Sequence, residues 1–551
     1  MKKITVILLF LFAFNSYAKQ SAGIATAHPM ATAAGEEMLA QGGNAFDAAV
    51  AISAALAVVE PYSSGIGGGG FWLLHRSSDG FETMLDGREK APLQAHRDMY
   101  LDGKGNVIAK ASMDGPLSAG IPGVPAALDH LSKKYGRLTL KQSLQPAINY
   151  ALNGFVVDEH YRRMARFRLN ALRASPAAAE IFLQENEVPA LGYVIKQNDL
   201  ANTLKAIAEQ GSAGFYRGKV SEKLLSGVKQ GGGIWQEDDF KKYFVLERKP
   251  IVGQFHEMKI TTAAPPSSGG IAMVEILNQL EHYSLSSLQQ PQAVHLIIES
   301  MRRAYRDRAQ FLGDSDFVSV PTERLINKYY AAGLVATIHP DKATPSDSLP
   351  GVAHENNSRD TTHFSVIDHE GNRVSATLSI NYPFGSCFVA PGTGVLLNDE
   401  MDDFSSKPGV PNAYGLVGAE ANAIEPGKRM LSSMSPSFLE TDEKIAVIGT
   451  PGGSRIITMV LLGSLEFYFG ADAQSIVNEP RFHHQYLPDV VFHESDAFDE
   501  KIIDQLNAKQ HKLKKSDDTW GNMQLVIWDK KNKKMSVASD RRGAGLAKII
   551  N

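Results

Sequence analysis

The chain has 551 residues, of which 43% are hydrophobic and 21% are charged. This composition is close to the average for soluble globular proteins and excludes a wholly disordered, collagen-like or coiled-coil chain, while the length predicts several domain-sized units. The net charge of -4 provides no basic field for a polyanion, so the composition argues against a nucleic-acid-binding protein.

The first 18 residues have the pattern of a secretory signal peptide. Lys2 and Lys3 precede an apolar run at residues 4–14, and the small residues Ser16 and Ala18 precede a predicted cut after Ala18. The apolar run is too short to cross a bilayer, which takes about 20 residues. The sequence therefore predicts an exported protein without a membrane span, and a buried first helix is the alternative.

The single cysteine, Cys387, excludes an intrachain disulfide even though the protein is predicted to be exported. Its neighbours Phe384, Phe388 and Val389 create an apolar setting. Such a setting favours a packed, inert thiol over a nucleophile. Burial of apolar surface must therefore supply the stability of the fold.

The region after the signal is predicted to be helical and then to turn into strands. Residues 35–59 are rich in alanine, leucine and valine, with a predicted break at residues 42–44. A glycine run at residues 65–70 precedes two predicted strands, 71–75 and 81–85. Because no Gly-Lys-Ser/Thr follows the glycines, the run predicts a tight turn with close backbone packing and not a phosphate site.

The middle of the chain is predicted to be rich in helices. Residues from about 117 to 334 have a mostly helical pattern, and residues 293–311 carry apolar side chains at three- and four-residue intervals. Residues 340–360 are instead dense in proline, serine, aspartate and asparagine, and such a segment can bury little surface. The sequence predicts a mobile surface segment there, at a boundary between two parts of the chain.

A region rich in strands begins directly after this segment. Residues 361–368 and 373–380 predict a hairpin, and its second strand alternates apolar residues such as Val374 with polar residues such as Ser375. This alternation is typical of a hairpin with one buried face. Further strands, of which the last two are predicted to pair, are residues 444–448, 523–528 and 534–538.

Thr361 lies at the start of a predicted strand, directly after a predicted flexible loop. A hydroxyl is a weak nucleophile at neutral pH, and one solution places it on a new N-terminal residue whose own amine accepts the proton. A flexible loop that ends at a threonine opening a strand fits this chemistry, and Thr361 meets both conditions. The same layout also fits an ordinary linker that leads into a second domain.

Residues 361–366, Thr-Thr-His-Phe-Ser-Val, resemble the processing-site motif of the γ-glutamyltranspeptidases, which are N-terminal nucleophile hydrolases. The resemblance runs from about Gly23 to Gly543, nearly the whole chain that follows the signal. Further blocks that resemble the family, in the family's order, are residues 86–92, 398–404, 431–436, 450–455 and 480–485.

The resemblance implies an α+β fold, a four-layer αββα sandwich formed jointly by two subunits from one precursor. The precursor would cut itself between Asp360 and Thr361. A large, helix-rich subunit, residues 19–360, and a small catalytic subunit, residues 361–551, would then stay together as a heterodimer. Because Arg359-Asp360 stands where relatives often carry uncharged amides, self-cleavage is the step on which this chain departs from the family pattern.

The reaction that the resemblance implies is γ-glutamyl transfer and glutathione hydrolysis. The Thr361 hydroxyl would attack a γ-glutamyl amide such as glutathione, and water or the amine of an amino acid or peptide would resolve the resulting ester. Gly452 and Gly453 match the glycine pair that stabilises the oxyanion, and Ser379 matches a hydroxyl that assists the nucleophile. The family needs no cofactor or metal, and His483-His484 has no evident third ligand at a suitable spacing.

Substrate-binding residues also carry over from the resemblance. Arg88 matches the arginine that binds the donor's α-carboxylate, with Ser432 and Ser433 as hydroxyl partners. Tyr414 matches the aromatic residue of a lid loop, which favours small γ-glutamyl donors. The positions that match those around the α-ammonium group are Asn381, Glu400 and Asp403.

Three alternatives remain beside a secreted, periplasmic γ-glutamyltranspeptidase. Two are relatives with another substrate, a glutaryl β-lactam acylase and a poly-γ-glutamate hydrolase. The third is an uncleaved periplasmic protein that binds γ-glutamyl ligands without consuming them. Turnover of glutathione against glutaryl amides separates the first two from the main hypothesis, and the masses of the purified chains separate the third.

Overall fold

The computed structural model describes residues 20–349, 361–407, 409–410, 416 and 418–551. The predicted signal peptide, Asp360 and Tyr414 lie outside the described residues, as does the second half of the predicted mobile segment. None of the described helices combines the length and the apolar character that a membrane span requires.

Helices and strands alternate through the described residues. The helices are α1 (Pro29–Ala40), α2 (Ala45–Val59), α3 (Val124–Lys134), α4 (Leu140–Asn153), α5 (Glu159–Ala174), α6 (Pro176–Phe182), α7 (Asn198–Gln210), α8 (Ala213–Tyr216), α9 (Gly218–Gln230), α10 (Glu237–Lys241), α11 (Gly269–Leu280), α12 (Pro291–Phe311), α13 (Thr322–Leu325), α14 (Lys328–Val335), α15 (Ile456–Tyr468), α16 (Ala473–Asn478) and α17 (Glu500–Ala508). The strands are β1 (Ala22–Thr26), β2 (Gly69–Arg76), β3 (Phe81–Asp86), β4 (Phe155–Val156), β5 (Val194–Ile195), β6 (Leu246–Arg248), β7 (Ile251–Phe255), β8 (Met258–Thr262), β9 (Thr362–Ile367), β10 (Arg373–Ser379), β11 (Ser437–Glu440), β12 (Lys444–Gly449), β13 (Phe482–His483), β14 (Val491–His493), β15 (Leu513–Lys515), β16 (Gln524–Asp529), β17 (Lys534–Ser539) and β18 (Leu546–Ile550).

Two large sheets form the centre of the molecule. The first has the strand order β18-β1-β9-β10-β2-β3-β6 and the second the order β17-β16-β12-β11-β8-β7. Helices α1 and α2 pack on the outer side of the first sheet, and α11, α15 and α16 pack on the outer side of the second, while β9 and β10 face β12 and β16 between the sheets. The predicted four-layer αββα architecture is confirmed.

The predicted break at residues 42–44 is the start of α2. The Asn44 side chain accepts a hydrogen bond from the backbone N–H of Asp47 at 3.1 Å, and the Asp47 carboxylate accepts one from the N–H of Asn44 at 2.9 Å. This reciprocal pair caps the helix. All residues of α2 are buried, because the helix lies beneath the rest of the helical layer and against the first sheet.

The hairpin β9–β10 is confirmed, but the prediction of one buried face was wrong. Every residue of both strands is buried. The apolar residues, such as Val374, face the helical layer that contains α2. The polar residues face the second sheet, where Ser365 donates to the Gln524 carbonyl and Ser375 to the Ile448 carbonyl, each at 3.0 Å. Polar alternation here marks hydrogen bonding between two sheets and not contact with water.

Both sheets contain strands from before and after the predicted cut. β1 lies between β18 and β9, and β2 pairs with β10 in the same sheet. In the second sheet, β8 pairs with β11. Residues before and after the predicted cut therefore share backbone hydrogen bonds in both sheets.

The middle region was predicted to be mostly helical, and α3 to α14 lie in it, but the sequence analysis did not identify the strands β6, β7 and β8, which complete one edge of each sheet. The described part of the predicted mobile segment is anchored, because Ser346 is fully buried and its N–H donates to Asp489 at 3.1 Å. Arg302 of α12 donates to both Ser346 and Asp489, so a buried charge holds this segment in place.

Candidate active site

Thr361 and Ser379 lie side by side at one end of the central hairpin. Thr361 directly precedes β9, and Ser379 is the last residue of β10. Because Thr362 pairs with Leu378 in an antiparallel register, the next pair along the hairpin is Thr361 with Ser379. Thr361 is only 5% exposed, but it lines two cavities.

The glycine run at residues 65–70 permits this arrangement. A Cβ atom on Gly68 would overlap the carbonyl oxygen of Ser379, and one on Gly67 would overlap that of Leu396. Only glycine allows backbones to approach this closely. The predicted close packing of the run is confirmed, and it fixes the end of β10 where Ser379 lies.

Gly452 and Gly453 occupy the turn between β12 and α15. Their φ angles are 139° and 57°, in the region that favours glycine, and a Cβ on Gly452 would also overlap Met459. A short 3-10 turn, Gly453–Arg455, leads directly into α15. Gly452 lines one of the cavities at Thr361 and Gly453 lines the other. Backbone N–H groups at the start of a helix are suited to stabilising a developing negative charge.

The smaller cavity, called here the donor pocket, has a volume of only about 20 Å³. It brings together all the described site residues predicted from the sequence except Gly452, although they are spread over most of the chain. Its lining residues are Arg88, Thr361, Ser379, Asn381, Glu400, Asp403, Leu416, Ser432, Ser433, Met434, Gly453, Ser454 and Ile456.

Arg88 is the cation of the donor pocket, and it is buried. Its guanidinium donates to the Glu400 carboxylate at 2.7 Å, to the Asp403 carboxylate, and to the Met430 carbonyl at 3.2 Å. Burial alone would lower the pKa of the Arg88 guanidinium. The negative charges of Glu400, Asp403 and Glu89 have a larger effect and raise this pKa. The carboxyl groups that stabilise the charge on Arg88 therefore belong to the pocket itself.

Two of the carboxyl groups around Arg88, those of Glu400 and Glu89, have raised pKa values. Burial, opposed by Arg88 and reinforced by Asp403, raises the pKa of Glu400 to about 7, and Ser379 hydrogen-bonds to this carboxyl. Burial and the neighbouring Glu400 raise the pKa of Glu89 well above its usual value. Three carboxyls share one guanidinium, so the pocket favours an additional positive charge.

Ser432 and Ser433 lie where a second buried arginine meets the pocket. The N–H of Ser432 donates to the Pro266 carbonyl at 2.8 Å, which fixes this part of the backbone. The Ser433 hydroxyl accepts a hydrogen bond from Arg308 at 3.2 Å, and Arg308 also donates to Ser268 at 2.9 Å. Sequence reasoning missed Arg308, because a charged residue near the end of a helix usually points to solvent.

The larger cavity, called here the groove, opens on the other side of Thr361 and has a volume of about 660 Å³. Helix α5 forms one wall, and the chain from β15 to Asn522 forms the other. Glu60, which the sequence analysis did not identify, lies at its base and accepts a hydrogen bond from the Thr362 hydroxyl at 2.7 Å. Burial raises the pKa of Glu60 to about 7, although the bond from Thr362 lowers it.

The thiol and the histidine pair have structural contacts. Cys387 is buried, and burial raises the pKa of its thiol to about 12, so it is not a thiolate at neutral pH. His483 lies 2.9 Å from both Thr458 and Gln485, and His484 lies 3.3 Å from Asp489. Among the described residues, no group of three or more His, Cys, Asp or Glu side chains has the arrangement of a metal site.

Comparison with known proteins gives consistent matches over most of the chain. Residues 31–550 match the family model described as γ-glutamyltranspeptidase. The glutathione hydrolase proenzyme of Pseudomonas sp. (strain A14) is 46% identical over 472 residues, which are 85% of this chain and 82% of the relative. The glutathione hydrolase proenzyme of Escherichia coli (strain K12) is 42% identical over 498 residues, 89% of this chain and 85% of the relative.

Solved structures share the fold. A cephalosporin acylase from Bacillus halodurans superposes with a TM-score of 0.85 at 26% identity and covers 96% of both chains. A γ-glutamyltranspeptidase from Helicobacter pylori is 41% identical with a TM-score of 0.58, and the match covers 60% of this chain and 96% of that one.

Proposed function

This chain belongs to the γ-glutamyltranspeptidase family, and we propose that Thr361 is the nucleophile of its activity. The protein is a γ-glutamyltransferase and glutathione hydrolase. The observation that supports the role of Thr361 is its place opposite Ser379 at the junction of two cavities, of which one is lined by Gly452 and the other by Gly453. The remaining site assignments follow from that junction.

Acylation begins when the Thr361 oxygen attacks the γ-carbonyl of the donor. The hydroxyl proton passes to the α-amine of Thr361, the C–N bond of the donor breaks, and the leaving amine takes that proton. The backbone N–H groups of Gly452 and Gly453 stabilise the oxyanion. Water or an acceptor amine then attacks the ester and releases glutamate or a new γ-glutamyl amide. Two successive acyl transfers of this kind give ping-pong kinetics.

The α-amine of Thr361 exists only after the chain is cut. The proposal therefore includes cleavage between Asp360 and Thr361 in the precursor, which leaves a large subunit, residues 19–360, and a small one, residues 361–551. Shared strands such as β1, β9 and β18 would hold the two subunits together as a heterodimer.

Charge explains why the donor pocket selects a γ-glutamyl group. The donor's α-carboxylate binds Arg88, beside Ser432 and Ser433. Its α-ammonium group binds the carboxylates of Glu400 and Asp403, which also pair with Arg88, and Asn381 lies beside it. A donor that carries both charges therefore provides an anionic partner for Arg88 and a cationic partner for the carboxylates. A ligand with a single charge leaves a buried partner unsatisfied, which costs several kcal/mol.

Hydrolysis of glutaryl amides is the second candidate, because the Bacillus halodurans structure that shares this fold is named a cephalosporin acylase. A glutaryl group lacks the α-ammonium, so it would leave the carboxyls around Arg88 without a cationic partner from the substrate. We therefore expect glutathione to be the better donor. The ratio of kcat/KM for γ-glutamyl and glutaryl anilides measures this preference directly.

Export and assembly complete the proposal. The signal pattern at residues 1–18 supports secretion, with the periplasm as the destination. Its small-molecule partners are glutathione as donor and water, an amino acid or a peptide as acceptor. Fractionation of cells that express the full chain, followed by an activity assay of each fraction, tests the location.

The decisive experiment combines intact mass under denaturing conditions with a γ-glutamyl anilide assay. The purified wild type is expected to give two chains, one beginning at Thr361, and Thr361→Ala is expected to give one uncut chain with turnover reduced by at least about 10³-fold. Thr361→Ser keeps the hydroxyl and is the matched control, which should retain cleavage at a lower rate. An uncut protein with full activity would refute the mechanism, and an uncut wild type that binds glutathione without consuming it would favour the binding-protein alternative.

A further inference from the structure

Residues 480–485 resemble the family, yet none of them lines the donor pocket or the groove. The strand β13 within this block packs against α15, which begins directly after the turn of Gly452 and Gly453. The Ser454 hydroxyl donates to the side-chain oxygen of Gln485 at 2.7 Å, and both side chains are buried. The block therefore contacts the turn at the residue that follows the two glycines.

The two glycines cannot hold the turn themselves, because they have no side chains and both adopt positive φ angles. The N–H of Arg455 closes the turn by donating to the Gly452 carbonyl at 3.1 Å. Ser454 is held on two sides, its hydroxyl by Gln485 and its carbonyl by the hydroxyl of Tyr305 on α12. The direction of the two glycine N–H groups therefore depends on how firmly Ser454 is held.

His483 connects the residues that hold Ser454. Its Nε2 lies 2.9 Å from the Gln485 side-chain oxygen, its Nδ1 lies 2.9 Å from the Thr458 hydroxyl, and its ring packs edge-on against Tyr305 at a centroid distance of 5.5 Å. The residue is only 1% exposed. One buried imidazole thus contacts both supports of Ser454 as well as the first turn of α15.

The hydrogen of the His483 ring lies on Nε2. Burial, with the charge of Arg455, lowers the pKa of His483 well below its usual value, so the neutral ring carries one hydrogen. The Gln485 amide nitrogen donates to the Leu487 carbonyl at 3.3 Å, so its oxygen faces His483 and accepts from Nε2. Nδ1 then accepts from the Thr458 hydroxyl, since the Arg455 carbonyl, 3.0 Å from that hydroxyl, can accept from the backbone of α15 instead.

We propose that His483 is a positioning residue for γ-glutamyl transfer. Its Nε2–H orients the Gln485 amide, whose oxygen holds Ser454 in place. Through Ser454, the ring aims the two glycine N–H groups at the donor's carbonyl oxygen as it becomes an oxyanion. Because His483 lines neither cavity, its loss should weaken stabilisation of the transition state and leave donor binding to Arg88 unchanged. This inference rests on the proposed nucleophile and oxyanion glycines.

The first test measures kcat and donor KM for a γ-glutamyl anilide in two variants of His483. His483→Asn places an amide at the position of Nδ1 but does not reach Gln485, so kcat is expected to fall about tenfold with donor KM unchanged. His483→Gln places its amide nitrogen as far from Cβ as Nε2 is, and it should recover most of the loss. Rates are expressed per small subunit that begins at Thr361, counted by intact mass, so that slower cleavage of the precursor does not affect them.

A transition-state analogue gives a readout that a general loss of folding would not change. In an analogue of glutamate with a boronic acid in place of the γ-carboxyl group, boron bonds to the Thr361 oxygen and the hydroxyl proton passes to the α-amine. The tetrahedral adduct presents an oxygen to the two glycine N–H groups, whereas bound glutamate contains no tetrahedral centre there. In His483→Asn the boronate Ki is expected to rise about tenfold, in step with the fall in kcat, while the Ki of glutamate stays the same.

The matched control is His493→Asn on the neighbouring strand β14. His493 is 4% exposed, but it pairs with Phe482, so its side chain lies on the other face of the strands from that of His483. The control is expected to keep kcat and the boronate Ki of the wild type. Ser454→Ala combined with His483→Asn should lower kcat little more than either change alone, because both act through the same contact.

The ratio of the boronate and glutamate Ki values decides the outcome. An equal ratio in wild type and His483→Asn, or equal kcat losses in His483→Asn and His483→Gln or in His483→Asn and the control, would overturn this inference alone if Thr361→Ala is inactive. If the wild type bound the boronate no more tightly than glutamate, the proposed oxyanion site would fail, and the role of His483 with it.

Discussion

The donor pocket and the groove share Thr361 but differ in size, burial and charge. The donor pocket has a volume of about 20 Å³ and is lined by the buried ion pairs of Arg88 with Glu400 and Asp403. The groove has a volume of about 660 Å³ and exposes Phe167 and several cations to solvent. A buried charge tolerates few partners, whereas an exposed one is screened and tolerates many. If Thr361 is the nucleophile, as we propose, the donor pocket is suited to select one charged group and the groove to admit a wider range of ligands.

The largest expected effect is at Gly452, which lines the groove beside Thr361. Gly452→Ala should lower kcat about 10²- to 10³-fold, because its φ of 139° and the overlap with Met459 would displace the backbone N–H that we propose stabilises the oxyanion. Gly470→Ala is the matched control, since Gly470 follows α15 with a φ of 92° and has open space around it. Steady-state turnover of a γ-glutamyl anilide measures both. A comparable loss in the control would mean that backbone strain alone, and not the oxyanion, is responsible.

Arg88→Lys tests whether the buried guanidinium binds the donor's carboxylate. A lysine cannot donate to Glu400, Asp403 and a substrate carboxylate in the fixed fork that a guanidinium offers, so KM for the donor is expected to rise about 100-fold. Arg97→Lys is the control, because Arg97 pairs with Glu420 at an exposed position where such pairs contribute about 0–1 kcal/mol. Donor KM and kcat are measured separately. An unchanged donor KM in Arg88→Lys would show that the carboxylate binds elsewhere.

Glu60 makes the base of the groove sensitive to pH. Its pKa is about 7 in the folded protein and near 4.5 in the unfolded chain. Folding therefore takes up a proton when the pH lies between these two values. The stabilisation is fully present below about pH 4.5 and is lost as the pH rises through 7, by an amount on the order of 3 kcal/mol. Glu60→Gln removes this dependence and should melt at a higher temperature than the wild type at pH 8.

Thermal unfolding of wild type and Glu60→Gln at about pH 5 and pH 8 checks this prediction. The difference between the two proteins isolates Glu60, because every other titrating group is common to both. A difference that stays constant from pH 5 to pH 8 would mean that Glu60 is ionised throughout in the folded state.

The smallest effect is expected at Cys387, which lies behind the groove wall. Its sulfur accepts a hydrogen bond from Arg168 at 3.3 Å, and Arg168 in turn lies over the Tyr382 ring. Cys387→Ala should leave turnover within about twofold, since the thiol pKa of about 12 precludes a nucleophilic role. Iodoacetamide should label the thiol only after unfolding, which mass spectrometry detects. Rapid labelling of the native protein would contradict its burial.

The strand-rich part of the fold was predictable because its signals are local. The period-two pattern predicted the hairpin β9–β10, and the sequence also predicted the pairing of β16 with β17; both pairs are confirmed. The strands β6 and β8 were missed, because they are short and lie within a long helical region, so their pairing partners and not their own residues determine them. The anchoring of Ser346 was missed for a similar reason, since Arg302 and Asp489 lie far from it in sequence.

The site itself depends on contacts that no local pattern contains. Arg88 and Glu400 are separated by 312 positions, and each taken alone would be interpreted as a surface charge. Only the resemblance to a family placed them in one pocket, and the structure brings them together with Thr361. Arg308 and Glu60 had no such signal, because their burial results from packing among several elements.

The position of β1 between β18 and β9 predicts that the two fragments of a cut chain dissociate very slowly. If the chain is cut before Thr361, neither fragment can leave without breaking both ladders of backbone hydrogen bonds along β1. Mixed populations of labelled and unlabelled heterodimers should therefore not exchange subunits over days under native conditions. For the same reason, the two fragments expressed as separate genes should recombine poorly, because β1 of one fragment must insert in register between β18 and β9 of the other.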